Sequence, residues 1–175
     1  LYRALEVLGA RPYIACGAPL SHALAPDYRV LNLTARNREA AHIEATTQLS
    51  ALQPNAIVAI ERPGIAADGS YYNMRGEDIS DHCFYFDPFI SQAKCPTIAI
   101  GDGGNEIGMG NIARTLTRLD ITPSITCCNE LLVADVSNWG AYGLMAFLGL
   151  WSQQDLLAKI SPEDLLHYLS ARGSV

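Results

Sequence analysis

An α/β fold, with a mainly parallel sheet flanked by helices, is the architecture this sequence predicts. Two short segments, "NAIVAIE" (55–61) and "PTIAIG" (96–101), are almost wholly apolar and read as strands buried on both faces. Segments of helical character lie between and around them, among them "NREAAHIEATTQLSAL" (37–52). Strands alternating with helices form parallel βαβ units. With 175 residues, 49% hydrophobic and 17% charged, the chain has material for one core, so the expectation is a single α/β domain over 1–175.

The elements follow in order. Residues 1–8 predict a helix with Leu1, Leu5 and Leu8 on one face, ended by Gly9. "PYIACG" (12–17) is a strand candidate, "APLSHALAPDY" a loop, and "YRVLNL" (28–33) alternates like a strand. Asn37 caps the helix over 37–52, and Pro54 follows it. After the strand at 55–61 comes a long segment rich in turn residues, 62–80. Residues 87–95 predict a short helix, 96–101 a strand, 110–119 a helix and 124–129 a strand. "SNWGAYGLMAFLGLW" (137–151) reads as a buried helix with Ser137 as N-cap. The last helix, 161–172, has Ser161 as N-cap, Pro162 at its first position, and Glu163 and Asp164 in its first turn.

Bulk properties exclude several classes. A net charge of −6 and scattered basic residues argue against a nucleic-acid partner, since phosphate neutralisation needs clustered cations. No apolar run reaches the roughly 18–20 residues of a membrane span, and no signal peptide is visible. Five cysteines without zinc spacing read as reduced thiols of an intracellular protein. The chain opens on Leu1, in what reads as a helix already under way, so a fragment of a longer domain is expected. A fragment would expose apolar surface, which makes homo-oligomerisation a further expectation.

The stretch "IAIGDGGNEIGMGN" (98–111) carries the most chemistry. Glycine loops that lead into helices present backbone N–H groups to anions. Gly103 and Gly108 have P-loop spacing, but Met109 and Gly110 stand where that motif needs lysine and a hydroxyl residue. The dinucleotide fingerprint fails at Glu106. Asp102 and Glu106 would repel a bare phosphate. Carboxylates and amide oxygens after a buried strand suit a hard divalent cation, with Asp102 and Glu106 as ligands and Asn105 beside them. An ordinary turn is the competing reading.

The segment after "AIVAI" is the second candidate. Glu61 ends a buried strand, where a charge is costly unless paired or liganded. Arg62 and Arg75 suit a substrate carboxylate or phosphate, and Tyr71, Tyr72 and Asn73 add hydrogen-bonding groups. Asn138, in "SNWG", is a further candidate for binding substrate. In parallel sheets ligands lie outside the carboxyl ends of strands, so the loops after Ile60 and Ile100 are expected to converge.

In this order, "ERPG", "YYNMRG", "DIS", "IGDGGNEIGMG" and "SNWGAY" resemble the D-glutamate cyclase-like family, over about residues 55–142. Members of that family extend beyond this chain at both ends, continuing past Ser174 and Val175. The resemblance implies closure of D-glutamate, a small acidic amino acid, to 5-oxo-D-proline and water, with Mn²⁺ or Mg²⁺. It implies Asp102, Glu106 and Asn105 as catalytic residues, the first two holding the metal. Glu61, Arg62, Asn73, Arg75 and Asn138 would bind substrate. The location implied is cytoplasmic, or the mitochondrial matrix in a eukaryote. Metal-dependent phosphoester hydrolysis by the same carboxylates is the alternative, and a non-catalytic binding fragment is a third.

Overall fold

The computed structural model of the chain describes residues 1–158 and 160–173. Ser174 and Val175 therefore lie outside the described residues. In chain order the elements are α1 (Tyr2–Val7), β1 (Ile14–Gly17), α2 (Leu20–Leu24), β2 (Val30–Leu33), α3 (Arg38–Leu52), β3 (Ile57–Ile60), α4 (Asp87–Ser91), β4 (Thr97–Gly101), α5 (Ala113–Leu116), β5 (Glu130–Val133), α6 (Ser137–Ser152) and α7 (Pro162–Ser170). Short 3-10 turns occupy Ser80–His82 and Met109–Ile112. Every strand pairing is parallel, β1 with β2 and β3-β4-β5 in that order, with helices between and around the strands. This is the α/β architecture the sequence predicts.

The contacts divide the chain into two compact units. One comprises Leu1–Leu33 and the described residues from Tyr142 onward. Its core gathers Ala4, Met145 and Leu156, with Leu1, Leu8, Tyr142, Leu148 and Ile160 packed around them. The other, Thr34–Ala141, holds the three-stranded sheet. There Ala59, Ala99 and Ile100 are buried in the strands, Phe89 in α4, and Ile65, Tyr71, Phe86, Ile107 and Met109 in the loops and turns around them. In α3, Ala41 and Ala45 share one face, four residues apart, and are fully buried; the helix contacts α4.

Local signals place the helices well. Asn37 accepts a hydrogen bond from Ala40 N–H at 2.9 Å, and Ser161 accepts one from Asp164 N–H at 3.1 Å. These are the caps expected of short polar side chains before a helix. Four elements depart from expectation. Residues 20–24 of the expected loop form α2, which buries Ser21 and Leu24. The helix expected over 110–119 is shorter, a 3-10 turn followed by the four residues of α5.

The third strand is Glu130–Val133, not 124–129. Residues 124–126 instead wrap the glycine-rich loop: Ser124 N–H donates to Gly104, Ile125 N–H to Ile65, and Thr126 accepts from Gly108 and Gly110. Those loop bonds use the backbone groups a ladder would need. Finally, α6 is not uniformly buried. Met145 and Gly149 are buried, whereas Trp139, Phe147, Leu150 and Trp151 are 58–72% exposed. A helix apolar on every side gives no sequence signal for which stripe is covered. Among the described residues no helix is long and apolar enough to cross a membrane.

Candidate metal centre

The parallel register of β3 and β4 pairs Ile60 with Ile100, so β4 runs one residue beyond the end of β3. Glu61 N–H then donates to Ile100 O at 2.9 Å, which holds Glu61 beside the start of the glycine-rich loop. β5 pairs with the other side of β4, and α6 begins four residues later at Ser137. Three consecutive strand ends thus deliver Glu61, Asp102 and Ser137 to one edge of the sheet.

The two loops are joined by main-chain hydrogen bonds. Ile107 N–H donates to Arg62 O at 2.8 Å, and Gly64 N–H to Asn105 O at 2.9 Å. The expected convergence of the loops after Ile60 and Ile100 is therefore present. Within the glycine-rich loop, Gly103 and Gly104 donate N–H bonds of 2.8 Å to the two oxygens of Glu106, whose residue is only 2% exposed. The loop offers its amides to an anion, as glycine loops do, but the anion is its own side chain. Gly104 has φ +99° and Gly108 φ +94°, backbone conformations that side-chain-bearing residues rarely adopt. A Cβ at Gly108 would also overlap the methyl of Ala99.

Ligand oxygens of Glu61, Asp102 and Glu106 all lie within 4.8 Å of one another. Asp102 Oδ2 accepts from Ser137 N–H at 2.9 Å, so Asp102 satisfies an amide at the start of α6. Ser137 is not the cap expected of it: it is the first helical residue, and its hydroxyl accepts no backbone N–H and makes no well-formed hydrogen bond. Glu61 is the most open of the three carboxylates. Burial pushes its carboxyl above the usual glutamate range, opposed by the nearby Ser137 hydroxyl and reinforced by the charges of Asp102 and Glu106. Glu61 also has φ +50°, a strained backbone for a non-glycine residue.

The remaining candidates take varied positions. Arg62 lays its guanidinium 4.6 Å from the Phe86 ring centroid and donates to Phe84 O at 3.2 Å. Asn73 builds a turn, accepting from the N–H groups of Arg75 and Glu77. Arg75 is exposed on that turn and lines an open cleft with Met74, Asp120 and Thr122. The same Met74 lies against Gly103, so this cleft adjoins the acidic loop. Asn105 Nδ2 donates to Tyr72 O at 2.8 Å, while its Oδ1 is buried without a partner. Asn138 is exposed in the first turn of α6.

One residue escaped the sequence reading. Asp87 is 7% exposed and accepts from Ile65 N–H at 2.9 Å, from Tyr71 OH at 2.6 Å and from the Thr126 hydroxyl. It ties the loop after β3 to the segment that wraps the glycine-rich loop. Burial, then the Asp87 charge, pushes the Tyr71 phenol above its ordinary range, so Tyr71 remains a donor. The available signal was a lone carboxylate inside the apolar run "FYFDPFI".

Fold and site together define a class: an α/β protein whose parallel strands end in an oxygen-rich, acidic centre. A family model, D-glutamate cyclase-like, C-terminal, matches residues 1–175, and the chain belongs to that family. It is similar to human "D-glutamate cyclase, mitochondrial", 40% identical over 100 residues. That match takes in 53% of this chain and 16% of the length of the curated relative.

Proposed function

We propose that this chain carries the catalytic centre of a D-glutamate cyclase-like lyase, converting D-glutamate to 5-oxo-D-proline and water with Mn²⁺ or Mg²⁺. The observation that carries the reading is the convergence of Glu61, Asp102 and Glu106 within 4.8 Å. Three clustered carboxylates need a positive partner, and an oxygen-only donor set suits a hard cation. A bound cation of this kind neutralises the substrate carboxylate and polarises its C–O bond.

Asp102 and Glu106 would hold the cation, because backbone amides of Ser137, Gly103 and Gly104 already fix their orientation. Glu61, the most open carboxylate, faces the substrate. In the reaction a bond forms between the α-nitrogen and the γ-carboxyl carbon, and one C–O bond of that carboxyl breaks. Two ammonium protons leave with the departing oxygen as water. Glu61 takes a proton from the ammonium and returns it to that oxygen. Arg75, on the adjoining cleft, binds the α-carboxylate. Holding both ends of one molecule supplies much of the rate, since ring closure is intramolecular.

The test is a chirally resolved assay of 5-oxoproline with Mn²⁺ and with chelator. Product from the D-form alone, dependent on metal and lost in Asp102→Asn, is expected. Metal-loaded protein that leaves D-glutamate unchanged but releases phosphate from simple esters would overturn the reading. Glu106 already occupies the loop amides that a P-loop gives to phosphate.

A further inference from the structure

Three side-chain oxygens or hydroxyls among the described residues are buried without a hydrogen-bond partner: Ser21 Oγ, Asn105 Oδ1 and Ser137 Oγ. Ser21 belongs to the unit that lacks the acidic centre. The other two frame that centre. Ser137 is 2% exposed, its N–H is bonded to Asp102, and its hydroxyl lies beside the Glu61 carboxylate. Asn105 precedes Glu106, and its Oδ1 and Glu106 Oε1 both lie 2.9 Å from the position a Cβ would take on Gly103.

Even toward the Glu61 carboxylate the Ser137 hydroxyl makes no well-formed hydrogen bond, so its burial costs stability, and alanine would fill the same space without that cost. Helix capping does not account for Ser137, because Asp102 accepts the amide and the hydroxyl accepts nothing. Hard divalent cations take six or more oxygen ligands. Carboxylates alone would crowd negative charge around the ion, whereas neutral oxygens fill its shell without adding charge.

We infer that Ser137 Oγ is a neutral ligand of the cation held by Asp102 and Glu106, with Asn105 Oδ1 as a second neutral oxygen. This rests on the metal reading above and adds what it lacks, a reason for the serine of "SNWG". A neutral hydroxyl in place of a further carboxylate or a thiolate also biases the site toward Mn²⁺, Mg²⁺ or Ca²⁺ over softer ions.

The test is metal binding by the metal-free protein, independent of turnover. Mn²⁺ is titrated and the free ion followed by electron paramagnetic resonance, for the wild type, Ser137→Ala, Ser137→Cys and Asp102→Asn. Ser137→Ala is expected to bind Mn²⁺ about tenfold more weakly, with unchanged circular dichroism. Ser137→Cys loaded with Co²⁺ is expected to gain a thiolate charge-transfer absorption, read as a difference from the wild type with its five native cysteines. Ser137 variants that bind like the wild type, while Asp102→Asn does not, would overturn the inference and leave the metal reading standing. A weakened Ser137→Ala with no new absorption in Ser137→Cys would overturn it too, since the hydroxyl would then act by packing. A wild type that binds no Mn²⁺ overturns both.

Discussion

At Glu61 the backbone and the side chain both work against folding. A non-glycine residue at φ +50° carries a conformational cost of about 1–2 kcal/mol. Its carboxylate adds repulsion toward Asp102 and Glu106. Neither cost helps folding, so the side chain is retained for what it does. Two outcomes follow for the metal-free protein. Glu61→Gly should melt no lower than the wild type, because glycine relieves the strained φ. Glu61→Gln should melt higher at neutral pH. The sign comes from the raised carboxyl: the native state binds the proton more tightly than the unfolded chain. Stability is therefore greatest below the ordinary glutamate value of about 4.3 and declines as pH rises through it toward the raised native value. Thermal melts with chelator between pH 4 and 7 would show that decline in the wild type and a weaker one in Glu61→Gln. Both variants should lose 5-oxoproline formation. Carboxylates placed just after buried apolar strands drew attention to Asp102 and Glu106 as metal ligands and to Glu61 as a substrate-binding residue. That placement could not show that Glu106 is also the anchor of its own loop, because that depends on where two glycine amides point.

The elements that were legible are those fixed by neighbours in sequence. The caps at Asn37 and Ser161 and the apolar strands β3 and β4 need no distant partner to be read. The position of β5 does. Residues 124–129 and 130–133 are both strand-like in composition, and the choice is made by hydrogen bonds to Gly104, Ile65, Gly108 and Gly110, far away in the chain. Asp87 holds that arrangement together through Ile65 and Thr126. Its replacement by alanine would leave the Tyr71 hydroxyl, Ile65 N–H and Thr126 hydroxyl buried without an acceptor. The expected loss is about 3 kcal/mol of unfolding free energy, read from urea denaturation. Asp87→Asn keeps an acceptor oxygen toward Ile65 and Thr126 and should cost only about 1 kcal/mol. Equal losses in the two variants would show that the charge, and not the hydrogen-bond geometry, holds the loops.

For the whole molecule, alternation of strands and helices made the parallel α/β class legible, but the assembly of one unit from both ends of the chain was not. That assembly depends on contacts such as Ala4 with Met145 and Leu156, which no local pattern encodes. The last helix shows the consequence. α7 has no fully buried residue, and Leu165 and Leu166 are exposed. Its ties to the first part of the chain are polar and aromatic. Asp27 accepts from Tyr168 OH at 2.8 Å and from Arg172 at 2.7 Å, and Tyr28 meets the edge of Tyr168 at 5.8 Å. The Tyr168 hydrogen bond, with the Arg172 charge, holds the Asp27 carboxyl below the usual aspartate range. A depressed carboxyl contributes stability above its unfolded value, about 3.9, and that contribution is lost as pH falls through the native value. Protonation of Asp27 should therefore release α7 while the β3-β4-β5 sheet stays protected. Hydrogen-exchange protection factors over Pro162–Ser170 should fall as pH drops below about 4, before those of the strands, and Asp27→Asn should reproduce the fall at pH 7. If α7 and the strands lose protection together in Asp27→Asn, the helix is part of one cooperative fold and this surface network does not govern it.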